Sequence, residues 1–271
     1  MKTFFLHITL FIYGLLLINS PITAQVLLPQ YSAWEGFAFG DMQTVESRET
    51  EERFARFLLS IANQTLTQQN EQIGALLDKA EQNNVAERFF TLAEKYLYDP
   101  NSPYRNDEQY LLFLQYAAEN KLQEYVNNPR YHKHYALVKK NRVGHKAMDF
   151  AYITQAGEKG RLYNLQSRYI LLFFHDPNCE ECQYMRQQLE KNYATFAQKG
   201  LQVVAVYIDD EVDVWQKTQY PSEWLSVYAP EIDAKDLYDI KALPTLYLLD
   251  AQKQVVVKDG NWGQLIQCFK Q

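Results

Sequence analysis

Hydrophobic positions in the first half of the chain recur with the spacing of amphipathic helices. Phe54, Phe57, Leu58 and Ile61 follow an i, i+3, i+4, i+7 pattern after an acidic run at 49–52, where negative charge favours a helix N-terminus. Similar patterns predict further helices, and the Asp-Pro-Asn-Ser-Pro run at 99–103 ends one of them. These further helices lie around 73–80, 89–97, 111–116 and 129–140. We therefore expect residues 25–141 to form a small all-α domain of four to six helices.

The pattern changes near residue 143, where continuous apolar runs of strand length replace the helical spacing. A strand, a helix and a second strand are followed by a hairpin and a terminal helix, which predicts an α/β domain with a mixed sheet over 142–271. Right-handed connection of the first two strands places the start of the helix at the carboxyl edge of a central strand. The predicted strands are 169–175, 201–208, 246–249 and 255–257, and the helices are 179–199 and 261–269.

The first residues have the pattern of a secretory signal peptide. Lys2 precedes an apolar run at 4–18, and Ala24 is a small residue at a suitable cleavage position. An uncleaved anchor helix is the alternative, but the run is shorter than the ~20 residues that span a bilayer. We expect residues 1–24 to be removed and the mature protein to be exported. In a bacterium its location is then the periplasm or the outer-envelope surface, where disulfide chemistry is possible.

Composition narrows the functional classes. Of 271 residues, 47% are apolar and 22% charged, which is typical of a globular protein and excludes a disordered chain. The net charge of −6 and the absence of a basic stripe argue against a nucleic-acid partner. Three cysteines are too few for a disulfide-stapled scaffold. Composition leaves the oligomeric state open.

Two of the cysteines are spaced for redox chemistry. Cys179 and Cys182 enclose two glutamates, directly after a predicted strand and at the start of a predicted helix. Unpaired N–H groups and the helix dipole stabilise a thiolate at that position. Cys182, one turn along, is able to attack a mixed disulfide formed at Cys179. The pattern indicates thiol–disulfide exchange, with Cys179 attacking and Cys182 resolving, and needs no cofactor other than the Cys179–Cys182 disulfide.

Three other interpretations of these cysteines remain. Half of a zinc site is one, but Cys268 is the only other thiol, and we expect no metal. A structural bridge in a non-catalytic binding or scaffold protein is the second. The third is a thiol peroxidase, whose reactive cysteine would also lie in an α/β domain. Peroxidases of that kind have threonine three residues before the cysteine, where this chain has Asp176. We expect Cys268 itself to be a buried apolar residue of the last helix.

The second half of the chain resembles exported thioredoxin-like thiol–disulfide oxidoreductases of the TlpA and ResA kind. The resemblance covers about 142–271 and is carried by the segment LLFFHDPNCEEC at 171–182 and by Ala-Leu-Pro-Thr at 242–245. It implies a thioredoxin-like fold with Pro244 in the cis form, facing the cysteine pair. It also implies that Leu243, Pro244 and Thr245 bind an extended substrate segment. Protein thiols and disulfides would be the partners.

The chain departs from the pattern of that family at the active site. Asn178 stands where tryptophan usually precedes the first cysteine, and Phe173 stands where thioredoxins have a buried aspartate. A proton acceptor for Cys182 must then come from elsewhere, and Glu180, Glu181 and Asp176 are the candidates. An insertion at 209–230 is rich in aromatic residues, which we expect to pack the insertion rather than to form a substrate rim.

The two glutamates favour a reductant over an oxidant. At about 7 Å and an effective dielectric of about 40, each carboxylate costs the Cys179 thiolate about 1 kcal/mol. A less stable thiolate means a more stable disulfide and a lower reduction potential. The motif is also similar to the Cys-Glu-Pro-Cys motif of ResA-type reductases. An exported reductant needs an electron donor, which is expected to be a membrane protein.

The first half has a resemblance of its own. Some exported thioredoxin-like proteins have an N-terminal helical domain of unknown function with a motif like AEKYLYDPNSPYRN, which stands here at 93–106. This similarity supports a two-domain organisation and implies no activity for residues 25–141.

Overall fold

A computed structural model describes residues 33–270 and divides the chain into two units. The first, Met1–Glu35, contributes only a turn at 33–35 to the described residues, so the predicted signal peptide lies outside them. The second, Gly36–Gln271, contains all the helices and strands given below. We call residues 36–141 the helical half and 142–270 the sheet half.

Polar caps fix the starts of the main helices in the helical half. The Ser47 hydroxyl accepts a hydrogen bond from the Thr50 N–H at 3.2 Å, and the Asn106 side chain accepts one from the Gln109 N–H at 3.1 Å. Thr65 and Gln68 form a reciprocal capping box. The helices are α1 (Met42–Val45), α2 (Arg48–Ile61), α3 (Leu66–Gln82), α4 (Ala86–Ala93), α5 (Asp107–Glu119), α6 (Gln123–Asn127) and α7 (Pro129–Val138).

The helical half has more helices than the four to six predicted. Among the described residues there are seven α-helices, because α1 and α6 have only four and five residues and are too short to show a period. The helix predicted around 89–97 begins as α4 and continues as a π-helix, Glu94–Tyr98. Asp99 ends it, at the predicted proline-rich stop.

The sheet half is built on a seven-stranded mixed sheet, which confirms the predicted α/β domain with a mixed sheet. Its order is β2-β1-β5-β4-β3-β6-β7, with β3, β4 and β5 parallel and the outer neighbours antiparallel. The strands are β1 (Ala151–Thr154), β2 (Lys159–Arg161), β3 (Tyr169–Phe174), β4 (Leu201–Tyr207), β5 (Leu225–Tyr228), β6 (Thr245–Asp250) and β7 (Val255–Lys258). The helices are α8 (Glu180–Gln198), α9 (Val212–Lys217), α10 (Glu231–Ala234) and α11 (Trp262–Phe269).

Three strands have no counterpart among the predictions. β1, β2 and β5 have only three or four residues, and all three contain exposed or half-buried positions rather than a continuous buried run. The domain boundary between 141 and 142 stays a prediction, because 36–271 is a single unit. The described residues contain no helix long and apolar enough to cross a membrane.

Alternation along β3 separates two cores. Ile170, Leu172 and Phe174 face one layer of the sheet half. Leu171 and Phe173 face the other, which also contains Cys182 from α8. The second cysteine of the pair is therefore part of the core between the sheet and α8.

Candidate active site

The ends of two neighbouring strands bring the cysteine pair and Pro244 to one edge of the sheet. β3 ends at Phe174, which pairs with Thr245 at the start of the antiparallel strand β6. The segment after β3 and the segment before β6 therefore lie side by side. Cys179 belongs to the first segment and Pro244 to the second, as the order of motifs predicts.

A short turn places Cys179 at the N-terminus of α8. The Asp176 carboxylate accepts a hydrogen bond from the Asn178 N–H at 2.8 Å, and the Cys179 N–H donates to the Asp176 carbonyl at 3.1 Å. Cys179 is the N-cap residue, and its sulfur accepts from the Cys182 N–H at 3.2 Å. The sulfur thus lies at the positive end of a 19-residue helix, where a thiolate is stabilised.

The loop before β6 contacts the sulfur directly. We call residues 239–244 the proline loop. The Leu243–Pro244 peptide bond is cis, and the Leu243 carbonyl oxygen lies 3.7 Å from the Cys179 Sγ atom. The Thr245 hydroxyl donates to the Ala242 carbonyl at 2.6 Å, which fixes the end of the loop. Leu243, Pro244 and Thr245 thus lie together beside Cys179, although their role in substrate binding stays a prediction.

The two thiols have different environments. Cys179 is half-buried, whereas Cys182 is 1% exposed and packs in the core beside Phe173. Burial raises the pKa of Cys182, and its hydrogen bond with Cys179 raises that pKa further. Cys182 is therefore held as a neutral thiol behind the accessible sulfur.

The three candidate proton acceptors occupy different positions. Glu180 and Glu181 are exposed on the first turn of α8. Asp176 is half-buried and acts on the pKa of Cys182 in two ways: its backbone hydrogen bond lowers that pKa, whereas its negative charge raises it. Phe173 leaves no acceptor at the buried position used by thioredoxins. Asp176 is thus the best-placed candidate.

His175 lies directly beneath the active-site turn but packs as an apolar residue. Its ring stacks on Phe173 with centroids 4.7 Å apart and meets the Tyr220 ring edge-on at 5.5 Å. Burial, assisted by the charge of Arg186, lowers the pKa of His175 to about 3. The imidazole is therefore neutral near pH 7, and its Nε2 atom has no hydrogen-bond partner among the described residues.

The aromatic insertion packs against the sheet rather than forming a rim around the sulfur. Trp215 is buried and donates to the Ser226 hydroxyl at 2.8 Å. Trp224 is buried against Phe173. Tyr220 is half-buried, with the Arg186 guanidinium 5.3 Å from its ring centroid. The packing interpretation of this insertion agrees with these contacts.

The remaining cysteine lies on α11. Cys268 is half-buried, its thiol donates to the Gln264 carbonyl at 3.5 Å, and burial raises its pKa. It is less deeply buried than the sequence predicts. Within residues 33–270, no group of three or more His, Cys, Asp or Glu side chains is arranged to hold a metal ion.

Sequence reasoning missed the charged residues of the proline loop. Asp239 and Lys241 are buried and make ion pairs that reach the helical half through Asp107. Their only sequence signal is the occurrence of two charges just before an apolar strand. Asp107 is separated from Lys241 by 134 positions, so no local pattern pairs them.

An accessible sulfur at a helix N-terminus, a buried thiol one turn behind it and a cis-proline loop beside the accessible sulfur define a thioredoxin-like site. Comparisons with known proteins agree. The profile of the AhpC/TSA family matches residues 143–258, and that of a domain of unknown function, DUF5106, matches 22–141. A crystal structure of a thioredoxin-like protein from Bacteroides caccae superposes with a TM-score of 0.79 and 33% identity, covering 88% of this chain and 90% of that one.

Curated relatives match the sheet half. The thiol–disulfide oxidoreductase ResA of Halalkalibacterium halodurans is 24% identical over 132 residues, which are 47% of this chain and 75% of that protein. The thioredoxin-like protein YneN of Bacillus subtilis is 29% identical over 126 residues, 45% of this chain and 72% of that protein. The chain belongs to the thioredoxin-like family, in its class of thiol–disulfide oxidoreductases. The family resemblance found in the sequence is thereby confirmed.

Proposed function

We propose that this protein is an exported reductase of protein disulfides, with Cys179 attacking and Cys182 resolving. One observation carries the assignment of roles. The Cys179 sulfur is half-buried beside the Leu243 carbonyl, whereas Cys182 lies in the core with a raised pKa. An incoming disulfide therefore meets Cys179 first.

The reaction balances within the protein and its substrate. The Cys179 thiolate attacks one sulfur of a substrate disulfide, forming a mixed disulfide and releasing a substrate thiolate that takes up a proton. Cys182 loses its proton and attacks the Cys179 sulfur, which releases the second substrate thiol. The substrate gains two electrons and two protons, and the protein is left with a Cys179–Cys182 disulfide.

The proline loop supports recognition of an extended polypeptide. Leu243, Pro244 and Thr245 precede and start β6 beside the attacking sulfur. A substrate segment lying along this loop brings its own disulfide to Cys179, with main-chain groups supplying the contacts. Substrates of this kind are protein disulfides rather than small oxidants.

The direction of electron flow rests on charge. Glu180 and Glu181 stand next to the attacking cysteine at the first turn of α8. Their carboxylates oppose a thiolate at Cys179 and so favour the disulfide state, which lowers the reduction potential. A reductase must be reduced again after each turnover, and a membrane-bound thiol reductant is the donor that fits an exported protein. Export itself rests on the sequence of residues 1–24.

The alternative of a scaffold with a structural Cys179–Cys182 bridge is not favoured. The relatives that match the sheet half include proteins named thiol–disulfide oxidoreductases. Cysteines that stay oxidised until the protein unfolds would restore that alternative.

The reduction potential of the cysteine pair tests the proposal. The purified mature protein is equilibrated with defined thiol–disulfide buffers, and free thiols are counted by mass spectrometry after alkylation. We expect a value at or below about −270 mV, as in thioredoxin. A value between about −180 and −120 mV would indicate an isomerase or oxidase and would contradict the argument from the two glutamates.

Trapping separates the roles of the cysteines. Cys182→Ser is expected to accumulate a mixed disulfide between Cys179 and a model protein disulfide, because the resolving thiol is missing. Cys179→Ser is expected to form none, and Cys268→Ser is the matched control that behaves as the wild type. A stable adduct at Cys182 in the Cys179→Ser variant would reverse the assignment.

A further inference from the structure

The proline loop carries two buried charges. Lys241 and Asp239 have side chains only 5% and 3% exposed, and the Lys241 Nζ atom lies 3.0 Å from an Asp239 carboxylate oxygen. Buried charges are costly unless they are paired and hydrogen-bonded. The position of the proline loop therefore depends on the groups that pair with these two side chains.

One partner comes from the helical half. The Lys241 Nζ atom lies 3.1 Å from the nearer carboxylate oxygen of Asp107, the first residue of α5. The other Asp107 oxygen is 2.9 Å from the Lys258 Nζ atom of β7. Asp107 thus bridges a lysine of the proline loop and a lysine of the sheet, and both lysine side chains are buried.

A second contact from the helical half reaches the same loop. The Tyr98 hydroxyl, at the end of the π-helix, donates to Asp239 at 2.9 Å. The Lys241 Nζ atom also lies 4.6 Å from the centre of the Tyr98 ring, within cation–π range. Asp107 and Tyr98 therefore approach the loop from two different elements of the helical half.

The contacts end close to the attacking sulfur. Leu243 follows Lys241 by two residues, so their Cα atoms are at most about 7.6 Å apart. The Leu243 carbonyl oxygen is 3.7 Å from the Cys179 sulfur. A shift of the buried charges therefore moves the carbonyl that contacts the sulfur.

We propose that the helical half holds the proline loop against Cys179, with Asp107 and Tyr98 as positioning residues for thiol–disulfide exchange. The expected effect on turnover rests on the proposed function, whereas the positioning of the loop does not. The arrangement gives residues 36–141 a role in the reaction of a site that lies wholly in the sheet half. It acts through Lys241 and Asp239, not through contact with the substrate.

Displacement of the loop has two consequences of opposite sense. The main-chain groups of Leu243 and Pro244 no longer align with the substrate, so KM for a polypeptide disulfide rises. The Leu243 carbonyl dipole no longer opposes negative charge on the Cys179 sulfur, so a small alkylating agent reacts faster with Cys179. Loss of folding alone would instead expose Cys182 as well.

Asp107→Asn in the full chain tests the proposal, because it removes the charge and keeps the size. We expect KM for a model protein disulfide to rise about five- to tenfold, the contribution of one or two hydrogen bonds. Alkylation of Cys179 by iodoacetamide is expected to accelerate about two- to fivefold, while that of Cys182 stays unchanged. Asp78→Asn is the matched control, since Asp78 is also in the helical half and accepts a hydrogen bond from Tyr116 at 2.9 Å.

Tyr98→Phe provides a second test that leaves the ion pairs in place. It removes only the hydrogen bond to Asp239, and we expect changes in the same direction but smaller. The proposal is overturned if both variants match Asp78→Asn in KM and in Cys179 alkylation, or if Cys179 and Cys182 become reactive together. If the wild type reduces no protein disulfide, the proposed function fails, while the alkylation measurement still decides whether the helical half positions the loop.

Discussion

At the scale of single residues, burial separates two chemically identical groups. Cys179 and Cys182 are one helical turn apart, yet the first is half-buried and the second lies in the core against Phe173. The raised pKa of Cys182 keeps its proton in place while Cys179 reacts. In the proposed reaction this proton must leave before the second step, so its acceptor controls turnover.

The raised pKa of Cys182 predicts a pH dependence of stability in the reduced protein. Because the folded-state pKa lies above the unfolded value of about 8.5, the folded state keeps the Cys182 proton at pH values where the unfolded state has lost it. The free energy of unfolding should therefore fall between pH 8.5 and 10, by up to about 1.4 kcal/mol per pH unit. Urea denaturation of the reduced wild type and of reduced Cys182→Ser measures this, and parallel pH profiles of the two proteins would refute it.

Asp176 predicts a defect confined to the second step of the reaction. Asp176→Asn keeps an acceptor for the Asn178 N–H but removes the carboxylate charge that acts on the pKa of Cys182. We expect the mixed disulfide to decay about a hundredfold more slowly at pH 7, the usual contribution of a general base. Stopped-flow and acid quenching follow the decay. Glu181→Gln, on the exposed turn of α8, should decay as the wild type, and equal slowing in both variants would argue against Asp176.

At the scale of elements, the sequence predicts what depends on local pattern. β3, α8 and β6 follow from an apolar run, a helical period and a second apolar run, and together they locate Cys179 beside Pro244. β5 is missed because four residues carry no reliable period, and the change from α- to π-helix within the helix predicted around 89–97 leaves no sequence signal. The pairing of Asp107 with Lys241 is missed for a different reason, because it joins residues far apart in the chain and depends on the folded arrangement of both halves.

The connection between α8 and β4 predicts a specific glycine requirement. Gly200 has φ +85°, and a Cβ atom there would lie 2.8 Å from the Arg168 Cβ atom. Gly200→Ala should lower the free energy of unfolding by about 2 kcal/mol, from backbone strain and steric overlap. Gly157→Ala is the matched control, since Gly157 has φ +83° but nothing within 4 Å of such an atom. Urea denaturation compares the two variants. Equal losses of unfolding free energy would mean that backbone strain accounts for the whole effect and that steric overlap at position 200 contributes nothing.

At the scale of the whole molecule, the helical half and the sheet half share one buried ionic cluster. Asp107 and Arg105 enter it from the helical half, and Lys241, Lys258 and Asp259 from the sheet half. Burial alone would raise the pKa of Asp107, but the charges of Lys241 and Lys258 bring it below the usual value. The cluster therefore stabilises each half only when the other is folded, which favours unfolding as one cooperative unit.

Lys258→Met tests this coupling. The Lys258 Nζ atom lies 2.9 Å from Asp107 and donates to the Val138 and Lys140 carbonyls, all in the helical half. Because its loss leaves Asp107 with one fewer buried partner, we expect the free energy of unfolding to fall by about 3 kcal/mol. Hydrogen exchange by mass spectrometry along a urea gradient should show both halves of the wild type opening together and those of the variant opening separately.

An exposed lysine of the sheet half provides the matched control for Lys258→Met. Lys235→Met removes an exposed lysine at the end of α10 that pairs with Glu231 at 2.7 Å, and it should cost less than about 1 kcal/mol and leave the halves coupled. If the wild-type halves already open at different urea concentrations, the ionic cluster does not couple them. In that case Asp107 affects the proline loop only locally. The helical half then positions this loop but does not contribute to the cooperativity of unfolding.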